Sequence, residues 1–127
     1  MITDEDRLSH KIIGAAIEVH RILGPGLLES AYEECLCREF SLQNITFERQ
    51  KSLPVEYKGV RFDCGYRQDI VVEKLVILEL KAVSCIEAIH EAQLLTYLKL
   101  AELKLGILLN FNVILMKHGI KRIVNNL

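Results

Sequence analysis

Charged side chains interrupt two apolar segments in the middle of the chain. Asp69 lies within residues 68–72, and Glu79 and Lys81 lie within residues 76–83. Both segments are rich in β-branched residues, which predicts strands. Because side chains alternate along a strand, Glu79 and Lys81 share one face and lie roughly 7 Å apart. A carboxylate and an ammonium group therefore border one position on a sheet.

The turn between the two strands decides whether Asp69 joins that face. With a two-residue loop, residues 73–74, Gln68 would lie opposite Glu79 and Asp69 would face away. With a three-residue loop, residues 73–75, Asp69 would lie directly opposite Glu79, with Cβ atoms about 5 Å apart. We predict the three-residue loop.

Paired carboxylates at this spacing indicate a metal site. Two adjacent carboxylates raise each other's pKa unless a cation lies between them. Oxygen ligands are the ones that Mg²⁺ prefers, so Asp69 and Glu79 predict a site for Mg²⁺ or Mn²⁺. There a metal could polarise a phosphate, while Lys81 orients a bound water or offsets developing negative charge. The alternative is a salt bridge between Glu79 and Lys81 on a solvated sheet face.

The patterns on either side of these strands indicate which elements position the charged groups. The predicted order is helix, helix, three strands, helix and one or two strands, over residues 3–23, 27–42, 45–57, 60–72, 75–83, 86–103, 105–111 and 120–124. The three central strands pair most simply as an antiparallel meander. This order predicts a mixed α/β sandwich in a single domain over residues 1–127.

The third predicted helix carries two polar residues that project together. Gln93 and Tyr97 are spaced i, i+4 and so lie on one face, where they could bind phosphate or orient Lys81. We expect them at the edge of a cleft. The apolar stripe predicted to pack this helix on the sheet comprises Ala88, Ala92 and Leu95.

Basic side chains on the first two predicted strands could form a rim that binds phosphates. The members of this group are Arg49, Lys51, Arg61 and Arg67. They could equally be solvated strand edges, since Lys and Arg on edge strands also prevent sheets from aggregating.

Composition limits the classes of function. The chain has 127 residues, of which 50% are hydrophobic and 26% charged, and this predicts a folded domain. Sixteen Lys and Arg against seventeen Asp and Glu give a net charge of -1, so nucleic-acid contact requires a local patch. No apolar run approaches the roughly 20 residues that a membrane span requires. The N-terminus is acidic, unlike a signal peptide, so a cytoplasmic location is expected.

The cysteines are expected to be reduced thiols, because nothing else in the chain indicates secretion. Cys35 and Cys37 are separated by one residue within a helical pattern. Their side chains therefore point about 200° apart, which disfavours a shared zinc site.

Asp69 followed by Glu79-Leu80-Lys81 resembles the D…ExK signature of the PD-(D/E)XK nuclease superfamily. Three further segments resemble the small bacterial and archaeal GxxExxY family within it. They are GLLESAY at residues 26–32, HEAQLLTY at 90–97 and LLNF at 108–111. Two positions depart from the pattern: Gln68 replaces the Pro before the Asp, and Asn112 replaces a Gly.

The resemblance implies a restriction-endonuclease-like αβββαβ core. It also implies a divalent-metal site at Asp69, Glu79 and the backbone carbonyl of Leu80, with Lys81 beside it. Glu29 would reach in from its helix as a further acidic group that helps to hold the metal or its water. The alternative for Glu29 is stabilisation of a helix start by the helix dipole.

Two classes of function follow from the resemblance. The first is a metal-dependent nuclease, with DNA as the expected substrate. The second is a non-catalytic module that keeps the nuclease fold and binds nucleic acid or protein. Because the chain has no inserted domain for reading bases, we expect a homodimer or a targeting partner.

Overall fold

A computed structural model describes residues 2–127 of the chain. Within them a five-stranded sheet is flanked by three α-helices, and a separate two-stranded hairpin is also present. The helices are α1 (Asp4–Leu23), α2 (Glu29–Leu42) and α3 (Ala88–Ala101). The strands are β1 (Phe47–Ser52), β2 (Val55–Tyr57), β3 (Val60–Phe62), β4 (Arg67–Val72), β5 (Val76–Lys81), β6 (Leu105–Asn110) and β7 (Ile120–Val124). No helix in this part of the chain combines the length and apolarity needed to cross a membrane.

The main sheet has the order β1-β4-β5-β6-β7. The β5–β6 pair is parallel, and the other pairs are antiparallel. The connection between the parallel strands contains α3, as a crossover of this kind requires. The predicted mixed α/β architecture is therefore confirmed.

Two of the predicted strands are wrong in extent. The segments predicted at 45–57 and 60–72 are each divided, so that β2 and β3 pair with each other outside the main sheet. Pro54 lies at the first break and has no N–H to give to a sheet ladder. At the second break Gly65 has φ +80°, and its N–H donates to the Asp63 carboxylate at 3.0 Å. Both breaks follow from turn residues inside otherwise apolar segments.

Two apolar cores lie on opposite faces of the sheet. The larger core packs α1 and α2 against the sheet and includes Ile12, Leu36 and Leu78. The smaller core packs α3 against the sheet and includes Leu98 and Ile77. Because Ile77 and Leu78 are successive residues of β5, their side chains point to opposite faces.

A buried tyrosine fixes the start of α2. The Tyr32 hydroxyl donates to the Gly24 carbonyl at 2.6 Å and accepts the N–H of Leu27 at 3.1 Å. Its ring stacks on Phe111, with centroids 4.4 Å apart. Tyr32 is thus a core residue, and it sets the position of Glu29, the first residue of α2.

The β4 and β5 strands form a fork. Their pairing runs from Val72 opposite Val76 to Ile70 opposite Leu78, which leaves residues 73–75 as the predicted three-residue loop. Beyond Ile70 and Leu78, β4 continues along β1, whereas β5 continues along β6. A gap between the two strands therefore opens at the next residue of each, in the register that places Asp69 opposite Glu79.

Candidate active site

Asp69 and Glu79 lie where strands β4 and β5 diverge. The backbone N–H of Asp69 donates to Glu79 Oε2 at 2.8 Å, and the backbone N–H of Leu80 donates to Asp69 Oδ2 at 2.9 Å. The two carboxylates thus accept hydrogen bonds from backbone groups at the point where the β4–β5 ladder ends. Each carboxylate retains its second oxygen for another partner.

Burial and mutual repulsion raise the pKa of both carboxyl groups. Glu79 is 6% exposed, and burial, followed by the charge of Asp69, raises its pKa to about 8. The pKa of Asp69 is also raised, chiefly by burial. The Asp69 N–H and the Lys81 charge act against the shift of Glu79 without cancelling it. This carboxylate pair therefore favours a proton or a cation.

Lys81 borders the pair without neutralising it. Its side chain is half-buried at the end of β5. Among residues 2–127, no ion pair joins Lys81 to a carboxylate. The alternative of a solvated Glu79–Lys81 salt bridge is therefore wrong, and the reason is that Glu79 is buried in the fork.

Helix α2 adds two further carboxylates to the electrostatics of the site. Glu29 is exposed at the start of α2, and its negative charge raises the pKa of both Asp69 and Glu79. Glu33, one turn later, also raises the pKa of Asp69. Sequence analysis missed Glu33, although its i, i+4 spacing from Glu29 was a usable signal.

Glu33 is held in place by β1. Arg49 Nη2 lies 2.8 Å from Glu33 Oε2 and 2.7 Å from Glu34 Oε1, and Gln50 Nε2 donates to Glu33 Oε1 at 2.8 Å. Arg49 and Gln50 are successive residues that reach the same helix, because the left-handed φ of +49° at Gln50 interrupts the alternation of β1. Arg49, predicted as a phosphate contact, thus has its guanidinium engaged by two carboxylates.

Helix α3 brings Tyr97 towards the carboxylate pair. Gln93 is exposed, and its Nε2 donates to Tyr97 Oη at 3.4 Å. Burial, together with the charges of Glu79 and Asp69, raises the pKa of Tyr97. The ring of Tyr66 lies 6.2 Å from that of Tyr97, so Tyr66 is a further neighbour that sequence analysis missed.

The face of α3 that packs on the sheet differs from the prediction. Ala88 and Ala92 are exposed, and Leu95 is only half-buried. The larger side chains bury more apolar area and so decide the packed face. The residues that α3 buries are Leu94, Tyr97 and Leu98.

A family model for the PD-(D/E)XK nuclease superfamily matches residues 6–123. The chain belongs to this superfamily. Comparisons with curated proteins and with solved structures found no match. PD-(D/E)XK nucleases generally use divalent metals, so the donor set at the fork can be tested against that chemistry.

The possible metal ligands at the fork of this PD-(D/E)XK chain are oxygen atoms, the type of ligand that a hard divalent cation prefers. Buried Glu79 and half-buried Asp69 supply carboxylate oxygens whose negative charge nearby cations leave uncompensated. No group of three or more His, Cys, Asp or Glu side chains within residues 2–127 is close enough to hold a metal. Any further ligands would therefore be backbone oxygens, such as the predicted Leu80 carbonyl, or water.

The remaining predicted phosphate contacts lie outside the fork. Lys51 forms an exposed ion pair with Glu48 at 3.1 Å. Arg61 in β3 and Arg67 at the start of β4 are exposed, and neither forms an ion pair within residues 2–127. The guanidinium groups of Arg61 and Arg67 are thus not engaged by carboxylates, unlike that of Arg49.

Proposed function

We propose that this chain is a metal-dependent nuclease of the GxxExxY type that hydrolyses phosphodiester bonds of DNA in the cytoplasm. The observation that carries the proposal is the pair of half-buried Asp69 and buried Glu79 at the fork, which accept hydrogen bonds from backbone N–H groups and have no cationic partner within residues 2–127. Such a pair destabilises the apo fold, and a binding function for it explains its presence. Membership of a nuclease superfamily supports the same conclusion.

In this proposal Asp69, Glu79 and the Leu80 carbonyl hold Mg²⁺ or Mn²⁺. A bound metal would polarise the scissile phosphate and make its bound water more acidic. Lys81 orients the attacking water and offsets negative charge on the phosphate as it develops. Glu29 hydrogen-bonds water at the edge of the site.

Helix α3 supplies the positioning groups. Gln93 is exposed and can donate to a phosphate oxygen, while Tyr97 fixes its amide. Tyr97 itself is buried beside Glu79 and supports the wall of the site rather than its rim. We propose that a homodimer or a targeting partner supplies the surface that selects the substrate.

A non-catalytic binding module is the second candidate. It is favoured by the net charge of -1 and by the engagement of Arg49 with Glu33 and Glu34. A module of this kind would bind nucleic acid or protein with the same affinity in EDTA as in Mg²⁺. A nuclease instead requires the metal for turnover.

The deciding experiment incubates purified protein with labelled single- and double-stranded DNA and RNA in Mg²⁺, Mn²⁺ or EDTA. We expect cleavage of DNA with metal and none in EDTA. Asp69→Asn and Glu79→Gln keep a hydrogen-bond acceptor for the backbone N–H groups, and we expect each to abolish both Mn²⁺ binding by calorimetry and cleavage. Glu5→Gln, on α1, is the matched control and should behave like the native chain.

Two results would contradict the nuclease proposal. One is a native protein that binds no metal. The other is cleavage that persists in EDTA, which would identify a contaminating enzyme. Binding of nucleic acid without its cleavage would establish the non-catalytic module instead.

A further inference from the structure

A groove separate from the carboxylate pair lies between the β2–β3 hairpin, the end of β1 and the C-terminal end of α3. Its volume is about 460 Å³. Its polar lining includes Lys51, Glu56, Arg61, Gln68, Lys74 and Glu102. Neither Asp69 nor Glu79 lines it, so it is distinct from the proposed metal site.

Gln68 forms part of the groove and is short of hydrogen bonds. The residue is 3% exposed, and its Oε1 is buried without a partner among the described residues. Buried polar side chains in native proteins are nearly always paired, and an unpaired one costs about 1–3 kcal/mol. A hydrogen-bond donor supplied by a ligand would complete the pairing of Oε1.

The charges around Gln68 favour an anionic ligand. Three basic side chains line the groove against two acidic ones. Arg61 and Lys74 form no ion pair within residues 2–127, so both remain available to a ligand. Leu53 and Leu100 supply an apolar wall beside them.

We propose that this groove binds one nucleotide unit of a nucleic-acid strand. The phosphate accepts from Arg61 and Lys74, and from Lys51 once Lys51 gives up its exposed ion pair with Glu48. A sugar hydroxyl or a base N–H donates to Gln68 Oε1 when this side chain, buried in the free chain, turns into the groove, and the apolar part of the nucleotide packs on Leu100. The inference rests on the proposed function for the class of ligand, and it deepens that function by adding a strand-holding site.

Adjacency along β4 links the groove to the fork. Gln68 directly precedes Asp69, so a strand held at Gln68 passes within one residue of the carboxylate pair. Lys51 pairs with Gln68 across β1 and β4, which brings a basic residue to the same position of the sheet. The groove thus holds a strand beside the proposed metal site without contributing metal ligands.

Fluorescence anisotropy with a labelled 12-nucleotide single strand, in EDTA, tests the proposal without cleavage. We expect Lys51→Gln/Arg61→Gln to raise the Kd at least tenfold and to reduce the salt dependence of log Kd by about 1–2. The control Lys11→Gln/Arg38→Gln makes the same change of charge at exposed positions on α1 and α2. It should leave the Kd within about twofold of the native value, because only contacting cations release counterions.

Gln68→Leu separates a ligand-binding role from a structural one. It removes the unpaired amide, so we expect a thermal midpoint equal to or above that of the native chain, together with a Kd raised about tenfold. The Gln68 side-chain amide resonances, followed by NMR, should shift when the oligonucleotide or a nucleoside monophosphate is added. A shift with the nucleoside monophosphate and none with the oligonucleotide would make the ligand a free nucleotide and overturn the strand assignment.

Equal binding by the native chain and Lys51→Gln/Arg61→Gln would overturn the proposal. So would Gln68 amide resonances that neither ligand moves. Neither result depends on catalysis, because the measurements are made in EDTA. Conversely, a chain that binds in the groove but never cleaves would refute the nuclease and leave the groove assignment intact.

Discussion

Two groups of carboxylates lie near each other and are treated differently by the fold. Glu33 on α2 is paired with Arg49 and Gln50 of β1. Asp69 and Glu79 at the fork accept only backbone N–H groups, and Lys81 forms no ion pair with them within residues 2–127. Glu33 is thus ion-paired within the chain, whereas Asp69 and Glu79 retain a demand for positive charge.

Residue type alone therefore does not assign a chemical role to a carboxylate. A carboxylate whose partners are complete orders the structure around it. Burial raises the pKa of a carboxylate whose hydrogen-bond and ionic partners are incomplete. Its ionised form then lowers the stability of the fold until a proton or a cation binds. The fork creates the second condition, because its divergent strands supply N–H groups and no guanidinium.

The largest expected effect comes from Lys81, which separates metal binding from turnover. We expect Lys81→Ala to bind Mn²⁺ as the native chain does, since an ammonium group is not a ligand for such ions. Its turnover should fall by about 10²-fold or more, as when a group that stabilises transition-state charge is removed. Calorimetry and the cleavage assay, run on one preparation, measure the two quantities. Lys104→Ala, an exposed position that precedes β6, is the control.

Loss of metal binding by Lys81→Ala would contradict this separation. It would show that Lys81 positions the carboxylate pair instead of acting on the substrate. Unchanged turnover would remove Lys81 from the mechanism altogether.

The second effect is on stability without metal. Glu79 has a pKa of about 8 in the folded chain and 4.5 as its ordinary value, so the folded state binds the extra proton between these limits. The stabilisation of the folded chain by protonated Glu79 is therefore fully present below pH 4.5 and is lost as the pH rises through about 8. The free energy of unfolding in EDTA should fall by up to about 1.4 kcal/mol per pH unit from this group.

Glu79→Gln tests that dependence, because glutamine keeps the acceptor for the Asp69 N–H but cannot ionise. Urea denaturation at pH 5, 6.5 and 8 should show a flatter profile for Glu79→Gln than for the native chain. Glu48→Gln, an exposed control in β1, should keep the native slope. Parallel profiles for the native chain and Glu79→Gln would show that Glu79 ionises normally.

Local pattern predicted much of the fork. The apolar alternation around Asp69 and Glu79, together with a three-residue loop, was enough to predict the register that the strands adopt. The turn residues Pro54 and Gly65 could have revealed the separate hairpin. The β-branched and aromatic residues around these two turn signals indicated continuous strands and outweighed them.

The surroundings of the site depended on contacts that no local pattern encodes. Arg49 and Glu33 are 16 residues apart and meet because Gln50 has a left-handed conformation in β1. Gln68 likewise lines a groove together with residues of the hairpin and of the end of α3, which are distant from it in sequence. Tertiary packing decides both, so composition and periodicity could not predict them.

The smallest expected effect concerns the ion pair between Arg49 and Glu33. Arg49→Gln leaves Glu33 without its cation, and because both ion pairs of Arg49 are partly exposed, stability should fall by only about 1 kcal/mol or less. The freed charge of Glu33 should raise the pKa of Asp69 further, since Glu33 already acts on it in that direction. NMR titration of the side-chain carboxyl carbon of Asp69, in EDTA, measures the shift. Lys51→Gln makes the same change of charge in β1 and leaves the Arg49 pairs intact, so Asp69 should titrate there as in the native chain. An Asp69 pKa that is equal in Arg49→Gln and Lys51→Gln would mean that Glu33 and the fork are electrostatically independent.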